Sequence, residues 1–350
     1  MALRSDQRQS LSSWAKRSAF NVFRYKVIAA VASMAIGAIS LPARAQTTGA
    51  EQVLTVTLLG TGSPVPLSDR FGPSTLVEAG SRKLLFDAGR GVPIRLNQLK
   101  ISLGEIDTVF LTHFHSDHVN GLPDVWMTSY IPVGFGNRKR PMRLWGPQGT
   151  ARIAESMRVT FWDDIRIRMA DEHVPEAVTR IDAHEFSEDG VVFDEDGIRV
   201  TAFQVNHGEL IRPSYGYRVD YGGRSVLISG DTKYEPNIIK NGARLDLLIH
   251  EVCAVPQALQ TVPIIKQVID HHTSPQEAGK IFALTDPRMA AYTHLVLLST
   301  KEQPPLGADD VEKQTRETYQ GPLTVGEDLM LFTIGAEVKV QKWDQSRRGY

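Results

Sequence analysis

Cysteine is almost missing from this chain: Cys253 is the only one in 350 residues. A single thiol excludes an intrachain disulfide framework and any zinc site built on cysteine. Cys253 follows the apolar run 245–249, so core packing is its expected role. Repeats and low-complexity tracts are absent as well, which speaks against a repeat array or a disordered chain. Long apolar runs are scarce. The most marked one near the start, residues 27–41, is short of the ~20 residues that a membrane span needs. Neither sign of charge prevails: 39 Lys and Arg face 40 Asp and Glu, a net charge of −1 with histidine neutral.

The charge that opens the chain is one-sided. Arg4, Arg8, Lys16, Arg17, Arg24 and Lys26 precede the uncharged run 27–41, and Ala43-Arg44-Ala45 then offers a small-x-small site. Basic lead, apolar stretch and cleavage site are the parts of a secretory signal. Residues 1–45 are therefore expected to be a signal peptide, with an uncleaved anchor as the alternative. Residues 46–350 would then form one periplasmic or secreted domain without a membrane span. The leader holds seven Lys/Arg and one Asp, which leaves 32 basic against 39 acidic side chains and a net charge of −7 for the rest. An acidic body is a poor electrostatic partner for a polyanion, so nucleic acid is an unlikely partner on this ground. With 42% hydrophobic residues, a chain of this length can bury a large core.

What is present in concentrated form is histidine. Residues 111–121 are Leu-Thr-His-Phe-His-Ser-Asp-His-Val-Asn-Gly, directly after the strand-like stretch 106–111. His113 and His115 are two apart, so in an extended chain they point to the same side. Asp117 and His118 follow where the chain must turn, and Gly121 permits that turn. One short loop thus offers metal-ligating atoms from two directions, as a two-metal site requires. Gathering three histidines and an aspartate is costly unless a cation neutralises them. Further donors follow strand-like segments: His207 after 200–206, Asp231 after 224–229, and His294 after 289–293. In a layered α/β chain such strand ends gather at one edge.

Alternation predicts strands at 53–59, 74–78 and 83–86, with Gly80-Ser81 turning the second hairpin. Helices are expected at 93–99 and, after Pro147, at 148–159. Residues 163–195 are dense in charge without a clear period, so they read as an inserted surface segment with short strands. Residues 214–220 and 224–229 form a hairpin around Gly222-Gly223. Ser274-Pro275-Gln276-Glu277 is a capping box that starts a helix running to about Leu284. Two β-then-helix halves predict an α/β fold, an αββα sandwich of two mixed β-sheets flanked by helices.

Several motifs together resemble those of the metallo-β-lactamase superfamily over about residues 53–300. They are Leu58-Leu59-Gly60-Thr61-Gly62-Ser63-Pro64, Leu84-Leu85-Phe86-Asp87-Ala88-Gly89, the histidine loop, His250-Glu251-Val252, His272-Thr273-Ser274 and Thr293-His294-Leu295. Within that superfamily they are similar to the branch of ribonuclease Z and the metallo-β-lactamase-type arylsulfatases. The resemblance implies the metallo-β-lactamase fold and two divalent ions. Zinc suits neutral histidine and carboxylate ligands, a preference that manganese and iron share. It implies that one ion takes His113, His115 and His207, the other takes Asp117, His118 and His294, and Asp231 bridges them. It also implies that Asp87 supports the ligand histidines, and that His272 is a general acid held and tuned by Glu251. Asp117 would orient the nucleophile besides its ligand role. His250 is expected to be structural, and His173 and His184, in the charged segment, to be solvent histidines.

Substrate is read from less. Ribonuclease Z carries a long arm between its third and fourth ligand motifs that grips transfer RNA, whereas here a hairpin alone separates His207 from Asp231. Together with the acidic body and the leader, this directs the expectation to an exported arylsulfatase-type hydrolase acting on a small-molecule ester. The runs 66–74 and 87–91 look closer to the arylsulfatase side. Arg70 and Arg90 are candidates for a sulfate or phosphate oxygen. Trp126, Met127, Tyr130, Phe135 and Trp145 are candidates for an aromatic pocket wall or for plain core. A phosphodiesterase, acting on cyclic nucleotides or on RNA as ribonuclease Z does, is the alternative. A non-catalytic binding member is disfavoured, because every ligand position is filled. The resemblance also admits a homodimer.

Overall fold

The computed structural model describes residues 53–344 apart from residue 107, so the leader and its expected cleavage site lie outside the described residues. In chain order the first strands are β1 (Leu54–Gly60), β2 (Ser74–Ala79), β3 (Arg82–Phe86), β4 (Thr108–Phe110), β5 (Met142–Pro147) and β6 (Ile181–Phe186). They are followed by β7 (Gly190–Glu195), β8 (Ile198–Gln204), β9 (Tyr215–Tyr221), β10 (Arg224–Ile228), β11 (Leu247–Ala254) and β12 (Met289–Leu297). The last are β13 (Leu323–Val325), β14 (Met330–Ile334) and β15 (Val338–Gln341). Helices α1 (Val92–Gln98), α2 (Ser116–Val119), α3 (Leu122–Ser129), α4 (Thr150–Thr160) and α5 (Trp162–Asp171) belong to the first half. To the second half belong α6 (Pro236–Asn241), α7 (Pro263–Ile269), α8 (Pro275–Thr285) and α9 (Ala308–Thr315).

The strands make two sheets, one ordered β15-β14-β1-β2-β3-β4-β5-β6 and the other β13-β12-β11-β10-β9-β8-β7. Alternation assigns each strand's side chains to two layers. On β3, Leu84 and Phe86 enter the core between the sheets, where Phe110, Tyr217, Val226 and Ile249 meet them, while Leu85 faces the helices. On β11, Leu247 and Ile249 face that same core and Leu248 faces Phe282 and Ile281 of α8. The strand is buried throughout, as a strand in a parallel pair covered on both faces must be. The result is the expected αββα sandwich of mixed sheets. Cys253 is buried on β11. Among the described residues no helix is long and apolar enough to cross a membrane.

Helix α8 shows how local chemistry sets an element. Ser274 accepts a hydrogen bond from the backbone N–H of Glu277, whose carboxylate accepts one in return from the N–H of Ser274, and Pro275 opens the first turn. Ala278, Ile281, Phe282 and Thr285 then recur on the buried face.

The charged segment 163–195 is not an insert. It contains α5 and supplies β6 and β7, the edge strands of the two sheets. Its composition hid this, because α5 buries only Ile165 and carries Arg168 between Asp164 and Glu172 on its exposed side. Nor is His184 a solvent histidine: its ring stacks on Trp145 at 4.1 Å, whereas His173 is exposed.

Candidate metal centre

The parallel strands β3, β4 and β5 end side by side, and the histidine loop leaves from the end of β4. Asp87, just past β3, adopts φ 58°, a left-handed conformation that few non-glycine residues take outside functional or turn positions. Its carboxylate accepts hydrogen bonds from the N–H of Thr112 at 2.8 Å and from the Thr112 hydroxyl at 2.8 Å. It also meets His118 Nδ1 at 2.7 Å. The Thr112 hydroxyl thus points its hydrogen at Asp87, so its contact with His113 Nδ1 at 3.0 Å requires that ring to donate. Asp87 and Thr112 together set the tautomers of His113 and His118 with both Nε2 atoms facing inward. Thr112 went unnoticed in the sequence, although its place beside His113 is the signal that would have marked it.

Beneath this loop two backbones touch. A Cβ on Gly89 would lie 2.4 Å from the carbonyl carbon of Gly72 and 2.6 Å from the carbonyl oxygen of Asp117. Only glycine permits that approach.

The second sheet answers from three places. His207 follows β8 and donates from Nδ1 to the carbonyl of His271 at 2.9 Å, which turns its Nε2 inward. Asp231 follows β10. His294 lies within β12 rather than beyond its end: Thr293 pairs with Glu251 and Leu295 with Val252, so His294 is the extra residue of a β-bulge, with φ 43°. A bulge re-aims one side chain, and this one turns His294 toward Asp117, Nε2 to Oδ2 at 3.2 Å.

All seven predicted donors meet. His113, His115, His207 and Asp231 present ligand atoms within 4.8 Å of one another, as do Asp117, His118 and His294. Asp231 Oδ2 lies 3.9 Å from His113 Nε2, 3.6 Å from His207 Nε2, 3.3 Å from His118 Nε2 and 3.2 Å from His294 Nε2. His115 Nδ1 faces His113 Nε2 at 3.0 Å and His207 Nε2 at 3.2 Å. With the Nδ1 protons of His113 and His207 committed outward, their two Nε2 lone pairs face one nitrogen of His115, which has at most one proton to offer them. The buried His118 Nε2 has no aligned hydrogen bond at all. Such an arrangement is costly until a cation takes those lone pairs, and the donor set fits one. Protonation agrees. Burial pushes His113 well below its ordinary range and His207 down to about 3, leaving both neutral. Burial works to raise Asp231, but the surrounding imidazoles, His294 and His118 foremost, hold it well below the usual carboxylate range.

His272 stands at the edge of the cluster. Its ring packs against His207 at 4.9 Å and His294 at 5.6 Å, and its Nδ1 is 3.1 Å from Glu251 Oε1. That same oxygen accepts the N–H groups of Thr232 and Thr273, each at 3.1 Å. Burial disfavours charge on both partners: it brings His272 down to about 4 and Glu251 well up, so the pair's preferred form keeps one proton between them. Its neighbour His271 contributes its carbonyl to His207 and keeps its ring beside Gly208. His250, one residue before Glu251 on β11, points the other way and packs on Phe282.

Other candidates do not join the centre. Arg70 spends its guanidinium on the Thr61 hydroxyl at 2.7 Å and the Gly326 carbonyl at 2.9 Å, and Arg90 is exposed. Trp126 and Tyr130 are buried in the helix layer with Met127 packed against it, Trp145 stacks between Phe110 and His184, and Phe135 is exposed. Trp126, Met127, Tyr130 and Trp145 form core, not a pocket wall.

Comparison with known proteins defines the class. Ribonuclease Z of Mycobacterium marinum is 36% identical over 288 residues, covering 81% of this chain and 100% of the relative. The family described as Anti-Pycsar protein Apyc1 matches residues 54–262. Among solved structures, the metallo-β-lactamase-fold protein YhfI from Bacillus subtilis aligns with TM-score 0.63 at 18% identity, over 81% of this chain and 100% of that one. The short form of human tRNase Z aligns with TM-score 0.56 at 25% identity, over 79% and 98%. The architecture is the metallo-β-lactamase fold, and the chain is a metal-dependent hydrolase of ester bonds. It belongs to the family of metallo-β-lactamase-fold proteins that holds ribonuclease Z and Apyc1.

Two expectations fall with this result. The arylsulfatase activity and the exclusion of nucleic acid are both overturned by relatives at 31–36% identity that are named ribonuclease Z. The charge argument failed for a physical reason. A net charge summed over a chain says nothing about the field at one cleft, which depends on where the charges sit.

Proposed function

We propose that this chain is a phosphodiesterase that uses two divalent ions, zinc by preference, to cleave RNA. The likeness to ribonuclease Z along that relative's whole length carries the reading, and the convergence of seven donors on Asp231 supplies its chemistry. His113, His115 and His207 would hold one ion, Asp117, His118 and His294 the other, and Asp231 both. Ions held there supply Lewis acidity toward a phosphate oxygen and acidify a water so that it loses its proton near neutral pH. Asp117, 3.2 Å from His294 Nε2, would orient that water besides its ligand role. His272 gives a proton from its ring to the leaving oxygen, and Glu251 fixes the ring through Nδ1.

A second reading, hydrolysis of a small phosphodiester such as a cyclic nucleotide, is favoured by one observation. Between His207 and Asp231 the chain has only the loop 208–214 and the β9–β10 hairpin, with no arm to grip a folded RNA. The test is to offer the zinc-loaded protein a precursor transfer RNA, bis-nitrophenyl phosphate and a 3′,5′-cyclic nucleotide. Chelator-sensitive cleavage of the RNA is the expected result. Cleavage of the cyclic nucleotide with the RNA left intact moves the assignment to the second reading, and inertness toward all three refutes both.

A further inference from the structure

A cavity of about 450 Å³, in the size range of small-molecule pockets, is lined in part by residues that flank the metal donors in the chain. Its walls continue from the segments that carry the donors. Asn206 immediately precedes His207. The Ser214 hydroxyl donates to the backbone carbonyl of Asp231 at 3.4 Å. Gln148 precedes Gly149, whose Cβ position lies 2.9 Å from the ring of Phe114, the residue between His113 and His115.

The lining is rich in side-chain amides, and some are already used. Gln204 donates to the Ser187 carbonyl at 3.3 Å, and Asn237 donates to the Gln204 carbonyl at 2.9 Å. Asn206 uses only its oxygen, which accepts the N–H of Gly208 at 3.1 Å, and its amide N–H₂ remains available. Among the described residues the Gln148 amide and the Arg212 guanidinium make no hydrogen bond or ion pair within the protein. Phe186, half-buried and edge-on to Tyr215 at 4.9 Å, adds an aromatic surface. A cavity meant for a bare phosphate needs cations, and this one sets a single arginine, Arg212, against the carboxylate of Glu235, which is tied to the Asn237 N–H. Planar amides that carry both donor and acceptor match the edge of a nucleobase, and an aromatic ring matches its face.

We propose that this cavity is a nucleobase subsite. It receives the base of the nucleotide next to the scissile phosphate, with Phe186 against the base, Gln148 and Asn206 on its edge and Arg212 toward an adjoining phosphate. The proposal rests on the phosphodiesterase reading for the identity of the reacting bond, but its test is binding, so the two fail separately.

Calorimetry on the zinc-loaded protein compares cytidine 5′-monophosphate with ribose 5-phosphate, which lacks the base. The expected margin in favour of the nucleotide is about tenfold, the scale of one stacked and hydrogen-bonded base. Gln148→Ala and Asn206→Ala should each cut that margin about threefold, and the double variant should bring it near unity. Because the margin is a ratio, ribose 5-phosphate binding reports in each variant that the fold and phosphate locus survive. Absence of a margin in the wild type, or a margin that survives the double substitution, overturns the subsite. A margin on a protein that hydrolyses no phosphodiester leaves the subsite standing and removes the proposed reaction. Repeating the measurement with a cyclic nucleotide and with a single-stranded oligoribonucleotide tells whose base it is. The substitutions weaken only the former if a free nucleotide occupies the cavity, and the latter if RNA does.

Discussion

The two sheets furnish the centre in opposite ways. The first gives a single loop after β4 that carries His113, His115, Asp117 and His118 within six residues. The second gives one residue from each of three places: His207 after β8, Asp231 after β10 and His294 on β12. The loop is assembled locally, braced by Asp87 and Thr112 from its own sheet. The other three donors come into range only when the sheets pack over the core of Phe86, Phe110, Tyr217, Val226 and Ile249. Metal binding is therefore linked to the packing of one sheet on the other, and an ion that joins donors from both layers holds them together.

Removing the junction should break that link most severely. Asp231→Ala is expected to lose more than about half of the bound zinc by elemental analysis, because Asp231 Oδ2 approaches imidazoles of both groups. A chelator should lower the Tm of the wild type and leave that of the variant nearly unmoved. Retention of two ions by Asp231→Ala would refute the shared bridge.

Next in size is His272→Ala, which should slow hydrolysis of esters with phenyl or alkyl leaving groups by about 10²–10⁴-fold. Nitrophenyl esters, whose leaving group departs without a proton, should suffer much less, and zinc content should stay at the wild-type level. Equal loss across leaving groups would reduce His272 to a positioning residue. Glu251→Gln should follow the same trend more mildly, since it holds the ring without touching substrate.

The loop side of the comparison is sharpened by Asp87→Asn. Loss of the carboxylate that orients His118 should weaken zinc affinity about 10–100-fold in chelator competition while the second sheet's donors stay in place. The smallest effect belongs to Ser274→Ala, which removes the cap of α8 two residues after His272. It should lower stability by about 1 kcal/mol in a denaturant titration, with zinc content unaltered.

The same contrast decides what was legible in the sequence. A ligand set confined to one loop announces itself through spacing, and strand-end donors such as His207 and Asp231 show because an apolar run stops just before them. The bulge at His294 does not show. Leu295, Val296 and Leu297 continue the apolar run, and only the register against β11 makes His294 the unpaired residue. Edge strands β6 and β7 escaped because neither alternates cleanly: β6 buries no side chain fully, β7 buries only Phe193, and Asp182, His184, Glu185, Asp194 and Glu195 interrupt their apolar positions. The likeness of 66–74 to arylsulfatases misled because this segment is largely a surface loop. It is latched by Asp328, which accepts the N–H groups of Thr61 and Phe71. The amides of Gln148 and Asn206 are 58 positions apart and carry no motif, so the cavity between them had no trace in the linear chain.

The contact of Gly72 with Gly89 bears on how such an enzyme can diversify over generations. Every mutation that replaces either glycine adds at least one carbon, and at Gly89 that carbon collides with the backbone of Gly72 and Asp117 together. No rotamer change relieves a clash between main chains, so selection removes such alleles whatever substrate the descendant uses. Inherited variation is diverted to places where added atoms meet solvent, such as exposed Leu210 in the loop 208–214. A lineage built on this frame can change what it binds far more readily than it can move its metals.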